Sequence, residues 1–238
     1  MPQDGSFLAF DTSTDVMSIA LTDGVRVWQH TGPGGAKAST TLIPAILALL
    51  ADAGLALGDL QAIAFGRGPG SFTGLRTACA VAQGLAFGAN GGLGIPVLPI
   101  DTLMAVAEEA RLQHESGHIT ALLDARMDEM YVQRYTCNDG ILTPLGDCQL
   151  IRPEALEPQD ATLYAGNVFE VYRGRLPDGL NSFTCLPTAT AMLRLAPRLA
   201  ASGHCVPAAQ ALPLYVRDKV AQTTQERAQI KALKLQTA

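Results

Sequence analysis

Asp11 stands beside three hydroxyl residues in the run Phe10-Asp11-Thr12-Ser13-Thr14. A carboxylate flanked by hydroxyls and by the free amides of a tight turn can hold magnesium and a phosphate. The same residue types also favour turns through local side-chain hydrogen bonds, with no ligand involved. A second run, Gly66-Arg67-Gly68-Pro69-Gly70-Ser71-Phe72-Thr73-Gly74-Leu75-Arg76, sets glycines between an apolar segment and a helical one. Amides there can point at an anion, aided by the helix dipole. Asp11, Thr12, Gly68, Gly70, Ser71 and Thr73 therefore make a candidate anion or nucleotide loop. The alternative is a tight turn with close helix packing, in which Ser71 or Thr73 caps the helix. No Lys follows the glycines, so the spacing is not that of a Walker loop.

A third run, Asp124-Ala125-Arg126-Met127-Asp128-Glu129-Met130-Tyr131, clusters charges between two apolar segments. It reads either as a site or as a solvated hairpin with weak internal ion pairs. His114 and His118 have the i, i+4 spacing of paired metal ligands, but Ser116-Gly117 breaks the helix that would align them. No metal site is expected. G-x-S-x-G is absent, and no Cys or Ser is set beside a His, so local support for catalysis is slight.

These runs need positioning elements. Phe7 to Asp11, Val16 to Thr22 and Val25 to Thr31 read as three strands, the last two joined by the hairpin signal Asp23-Gly24. Helices come next, from about Ala38 to Ala53 and Phe72 to Gly88, alternating with strands at Gln61 to Gly66 and Ile95 to Ile100. Asp101 starts a helix ending near Arg111. Three meandering strands feeding right-handed crossovers give a mixed sheet flanked by helices, the order of a ribonuclease-H-like or actin-like half-domain. A second half starts with strands at His118 to Ala125 and Met130 to Cys137, the latter running into the turn Asn138-Asp139-Gly140. It continues with a strand at Ala161 to Ala165 and a helix at Ala189 to Ala201, interrupted at Pro197. Leu212 to Val216 reads as extended. The expected division is a first lobe at 1–100, a second at 101–216 whose last segment packs back on the first, and a polar tail at 217–238. In that tail Arg217, Lys219, Arg227, Lys231 and Lys234 outnumber Asp218 and Glu226, and the reading is a frayed or mobile helical tail, with a tRNA-touching arm as the less favoured alternative.

The 238 residues are 48% hydrophobic and only 16% charged, below the roughly 25% of an average domain. With a net charge of −5 and no basic run, a broad RNA-binding face is not expected. The five cysteines form no C-x-x-C pair, and no signal or membrane-spanning segment is evident, so a reducing cytoplasm is the expected location.

Helical surface carries most of the functional reading. Asp52 is the only charge from Ala38 to Ala53, and Arg76 the only one from Phe72 to Gly88. An ordinary surface helix has a polar outer face. Two neighbours lacking one imply a contact patch, with small residues permitting close approach; the alternative is that the chain's own second lobe covers them. Ile43, Leu47, Leu50, Arg76, Ala80, Gln83 and Phe87 are its expected members.

Taken together, the sequence resembles the bacterial TsaB (YeaZ) family of tRNA threonylcarbamoyladenosine biosynthesis proteins. The resemblance rests on Leu8 to Ser13, on Gly66 to Arg76, on Asp124 to Tyr131 and on Pro213-Leu214-Tyr215-Val216-Arg217, in that order. It implies an α/β fold of two actin-like (ASKHA) lobes. It also implies a non-catalytic scaffold that stabilises the catalytic paralogue TsaD, beside the small ATPase TsaE, and meets tRNA only through that complex. The paralogue's metal histidines lie on its first-lobe helix, and the matching stretch here, Lys37 to Thr41, has none. The family's first-lobe helices pair with the paralogue, or with a second copy when the chain is alone. No cofactor is expected of this chain, and ATP or ADP at the partner interface stays open. The alternatives are an actin-like kinase or ATPase using Asp11 and the glycine loop, and a metalloendopeptidase, which lacks any zinc set.

Overall fold

The computed structural model describes residues 5–217. The polar tail expected beyond Arg217 lies outside the described residues.

Two five-stranded sheets are laid out on one plan. In the first, β1 (Phe7–Asp11) pairs antiparallel with β2 (Val16–Thr22), which pairs antiparallel with β3 (Val27–Pro33). On its other side β1 pairs in parallel with β4 (Ala62–Gly68), and β4 with β5 (Val97–Asp101), giving the order β3-β2-β1-β4-β5. The second sheet repeats this with β6 (His118–Asp124), β7 (Met130–Asn138), β8 (Ile141–Ile151), β9 (Thr162–Gly166) and β10 (Ser182–Thr184), in the order β10-β9-β6-β7-β8. A meander followed by parallel crossovers, built twice, is the two-lobed actin-like α/β architecture.

Alternation along the first sheet sorts its residues to two helical layers. Leu8, Phe10, Ile19, Leu21, Ile63 and Phe65 face α1 (Ala38–Ala53) and α2 (Phe72–Gly88). Phe7, Ala9, Ala20, Ala62, Ala64 and Leu98 face the opposite way. Small side chains there let α5 (Ala189–Ala201) lie close, through Ala189, Met192, Leu193 and Ala196. The chain after the second sheet therefore returns to cover the first. Val206 bridges Val97, and Ala208 and Ala211 join the core under α1 and α2. Between the sheets runs α3 (Thr102–Gln113), whose Leu103, Val106 and Ala110 pack on Ile119, Ala121 and Tyr135 of the second.

Several boundaries differ from those expected. β3 starts two residues late because Asp23 accepts hydrogen bonds from the amides of Val25 and Arg26, drawing both into the turn. α5 continues through Pro197, which lies near its C-terminal end. The edge strands β8 and β10 and the short α4 (Val168–Val171) were not expected. β8 carries Pro144, Gly146 and Asp147 and is largely exposed, which erases the apolar alternation that marks a strand. No helix among the described residues is long and apolar enough to cross a membrane.

Candidate functional site

The glycine loop is filled by the chain itself. The Ser71 amide donates to the Ser13 carbonyl at 2.8 Å, and the Thr12 hydroxyl donates to the Gly74 carbonyl at 2.7 Å. A Cβ added at Gly74 would collide with the Thr12 carbonyl oxygen, at Gly70 with Ser13, and at Gly66 with the Asp11 carboxylate. These glycines thus let the turn after β1 dock against the first turn of α2. Ser71 stands at the N-cap without a side-chain cap bond. Close packing is the alternative that the geometry supports.

Asp11 and Thr12 are both fully buried, which corrects the expectation that they face a phosphate or a magnesium ion. The reason is placement: β1 is the central strand of its sheet, and α2 seals its end. Asp11 Oδ1 accepts from the Ser13 amide at 2.9 Å and hydroxyl at 2.6 Å, while Oδ2 has no partner. Burial pushes its pKa from the ordinary 3.8 up to about 6, with the Ser13 hydrogen bonds opposing the rise.

Thr14, half-buried, and the buried Ser13 line a cleft of about 310 Å³ between the two sheets. All four runs that carry the family resemblance converge there: Ser13 from the first, Ser71 from the second, Asp124 and Tyr131 from the third, and Tyr215 from the last. The third run is a β6–β7 hairpin loop in which Arg126, Met127 and Asp128 all have left-handed φ (60°, 57° and 62°). Each costs a non-glycine residue about 1–2 kcal/mol. The loop is held by its surroundings. Arg217 pairs with Glu129 at 2.7 Å and donates to the carbonyls of Ala125 and Arg126. Arg126 reaches across the cleft to Asp15 at 2.7 Å, and Arg175 pairs with Asp128 at 2.7 Å. Both cations at the cleft, Arg126 and Arg217, are therefore engaged by the chain's own oxygens. His114, weighed as half of a metal pair, stacks edge-on against Phe183, and His118 opens β6.

The outer faces of α1 and α2 are open to solvent. Ile43 is 41% exposed, Leu47 50% and Phe87 54%, with Ala80 and Gly84 also exposed. Two expected members do not belong to this surface. Leu50, at 5% exposure, falls on the core side with Leu42, Ile46 and Leu49. Gln83 is half-buried, and its amide donates to the Ala211 carbonyl at 3.1 Å. Arg76 is exposed. Its Nε donates to the Tyr215 hydroxyl at 3.2 Å, and its guanidinium lies 4.0 Å over the Phe72 ring. Nothing in the first hundred residues announced Tyr215 as a neighbour of α2; only its place in a motif-bearing run marked it.

Comparison with known proteins agrees with this architecture. Residues 33–238 match the family model described as TsaD, tRNA N6-adenosine threonylcarbamoyltransferase. The tRNA threonylcarbamoyladenosine biosynthesis protein TsaB of Haemophilus influenzae is 34% identical, over 92% of this chain and 96% of the relative. Its Escherichia coli counterpart is 33% identical over 90% and 95%. The solved structure of YeaZ from Pseudomonas aeruginosa is 38% identical, covers 89% of this chain and all of its own, and superposes with a TM-score of 0.80. With its doubled sheet plan, its converging motifs and relatives matched over nearly their whole length, the chain belongs to the TsaB (YeaZ) family.

Proposed function

We propose that this chain is a non-catalytic subunit of the machinery that makes threonylcarbamoyladenosine in tRNA, binding a TsaD-type paralogue through the outer face of α1 and α2 and holding it in its active form. The observation that carries the proposal is the exposure of Ile43, Leu47 and Phe87 on two helices with one charge each. An apolar face of this kind is stabilised by a protein that removes it from water. A TsaE-type ATPase completes the assembly, tRNA is met through the complex, and a second copy of the chain covers the same face when the paralogue is absent. The burial of Asp11 supports this reading over an actin-like kinase, which would need that carboxylate at the cleft.

Reconstitution tests it. Transfer activity should be absent from the chain alone and should depend on its addition to the TsaD-type and TsaE-type proteins with the adenylate-forming enzyme. Leu47→Glu and Ala80→Glu replace exposed side chains, so the fold should survive. Association with the paralogue should weaken by several kcal/mol, as for an unpaired charge in an interface. Full activity without the chain, or undiminished binding by both variants, would refute the proposal.

A further inference from the structure

Covering the α1/α2 face, as the proposed function requires, also takes water away from Arg76, the only charge on α2. The chain has already fixed where that guanidinium sits. Its Nε is committed to the Tyr215 hydroxyl, one face lies on Phe72, and the Phe72 and Tyr215 rings stand 5.3 Å apart. Two aromatic rings and one hydrogen bond hold the group in place, and such preorganisation lowers the entropy lost on binding. Its remaining donors, on Nη1 and Nη2, have no partner among the described residues. Other arginines of the chain differ: Arg126 and Arg217 at the cleft, and Arg67 and Arg175 outside it, are each paired with an Asp or Glu of the chain. A desolvated cation left unpaired costs several kcal/mol, so a partner that buries this face must bring an acceptor. The fork of two Nη groups matches a carboxylate.

We propose that Arg76 is the docking point for a carboxylate of the partner, an Asp or Glu set in an otherwise apolar surface opposite the N-terminal third of α2, with Tyr215 as the positioning residue that aims the guanidinium. The interface then includes the chain's C-terminal run as well as its two helices. The inference rests on the reading of this face as the paralogue's binding surface, and its test separates the two.

Binding of the purified TsaD-type paralogue to the intact chain is measured by calorimetry at low and high salt. Arg76→Gln should weaken association about thirtyfold or more, the effect of truncating one member of a desolvated charge pair. It should also flatten the salt dependence. Arg76→Lys keeps the charge without the fork and should fall between, and Tyr215→Phe, which keeps the ring and frees Nε, should lose less than Arg76→Gln. Arg76→Glu is then combined with paralogue variants in which each surface Asp or Glu is changed to Arg. One of these should restore binding. Arg76→Gln binding as well as the parent, or no rescue from any acidic position, overturns the inference while the proposed function stands. Rescue of a dimer of this chain by Asp52→Arg, with none from the paralogue, moves the carboxylate to a second copy and overturns the assignment. If the parent chain, Leu47→Glu and Ala80→Glu all bind the paralogue equally well, or none of them binds, the reading of the face fails and this inference falls with it.

Discussion

At Asp11, burial strips away the water that would solvate a carboxylate, and Ser13 returns hydrogen bonds to only one of its two oxygens. With a folded pKa near 6 against an ordinary 3.8, the folded chain binds this proton more tightly than the unfolded chain does. Stability from the neutral acid is therefore complete below about pH 4 and lost as the pH rises through 6. The cost at neutral pH is about 3 kcal/mol by linkage. Asp11→Asn has no such titration. The difference between its urea midpoint and that of the parent should change steadily between pH 4 and 6 and level off above 7. Parallel midpoints across that range would show that Asp11 is solvated after all. The sequence places Asp11 at the end of the first strand, where it lies, but does not give the direction of its side chain. That depends on Thr12 and Gly74 meeting across 62 positions of chain.

The two first-lobe helices were legible, because each is an apolar run that ends at a glycine, Gly54 just past α1 and Gly88 at the end of α2. Their phase was less so. When Ile43, Ile46, Leu47, Leu49 and Leu50 are all apolar, periodicity cannot tell an inward residue from an outward one. Leu50 lies on the side opposite to the expected one for that reason. Glycines on α2 separate the two roles cleanly. Gly74→Ala should destabilise the chain by about 1–3 kcal/mol, since its methyl would meet the Thr12 carbonyl. Gly84 has nothing within 4 Å of a new Cβ and is exposed. Gly84→Ala should stabilise the isolated chain by about 1 kcal/mol through helix propensity. Where a partner helix approaches closely, the same methyl should weaken association. Chemical denaturation and a binding assay on the two variants check both effects.

Across the whole molecule, the C-terminal run ties the lobes together. The Leu214 amide donates to the Arg67 carbonyl at 2.7 Å in the first lobe, and three residues later Arg217 grips the β6–β7 loop of the second. Arg217→Gln should release the left-handed residues Arg126 to Asp128, lowering stability by about 1–3 kcal/mol. Limited proteolysis should then cut faster after Arg126; an unchanged cleavage rate would mean that the loop holds its own shape. The convergence of the four motif-bearing runs was unreadable from spacing, because it is produced by two sheets facing one another rather than by any local pattern.

The return of α5 to the first sheet has a consequence for synthesis. β5 ends at Asp101, yet the helix that covers the alanine-rich face of that sheet begins only at Ala189. At about 5–20 residues per second, the ribosome needs roughly 4–18 s to make the stretch between them. For that interval a finished sheet waits with one side covered only in part, by Ala105 of α3. Nascent chains stalled before Ala189 should therefore recruit chaperones that those stalled well beyond Ala211 do not.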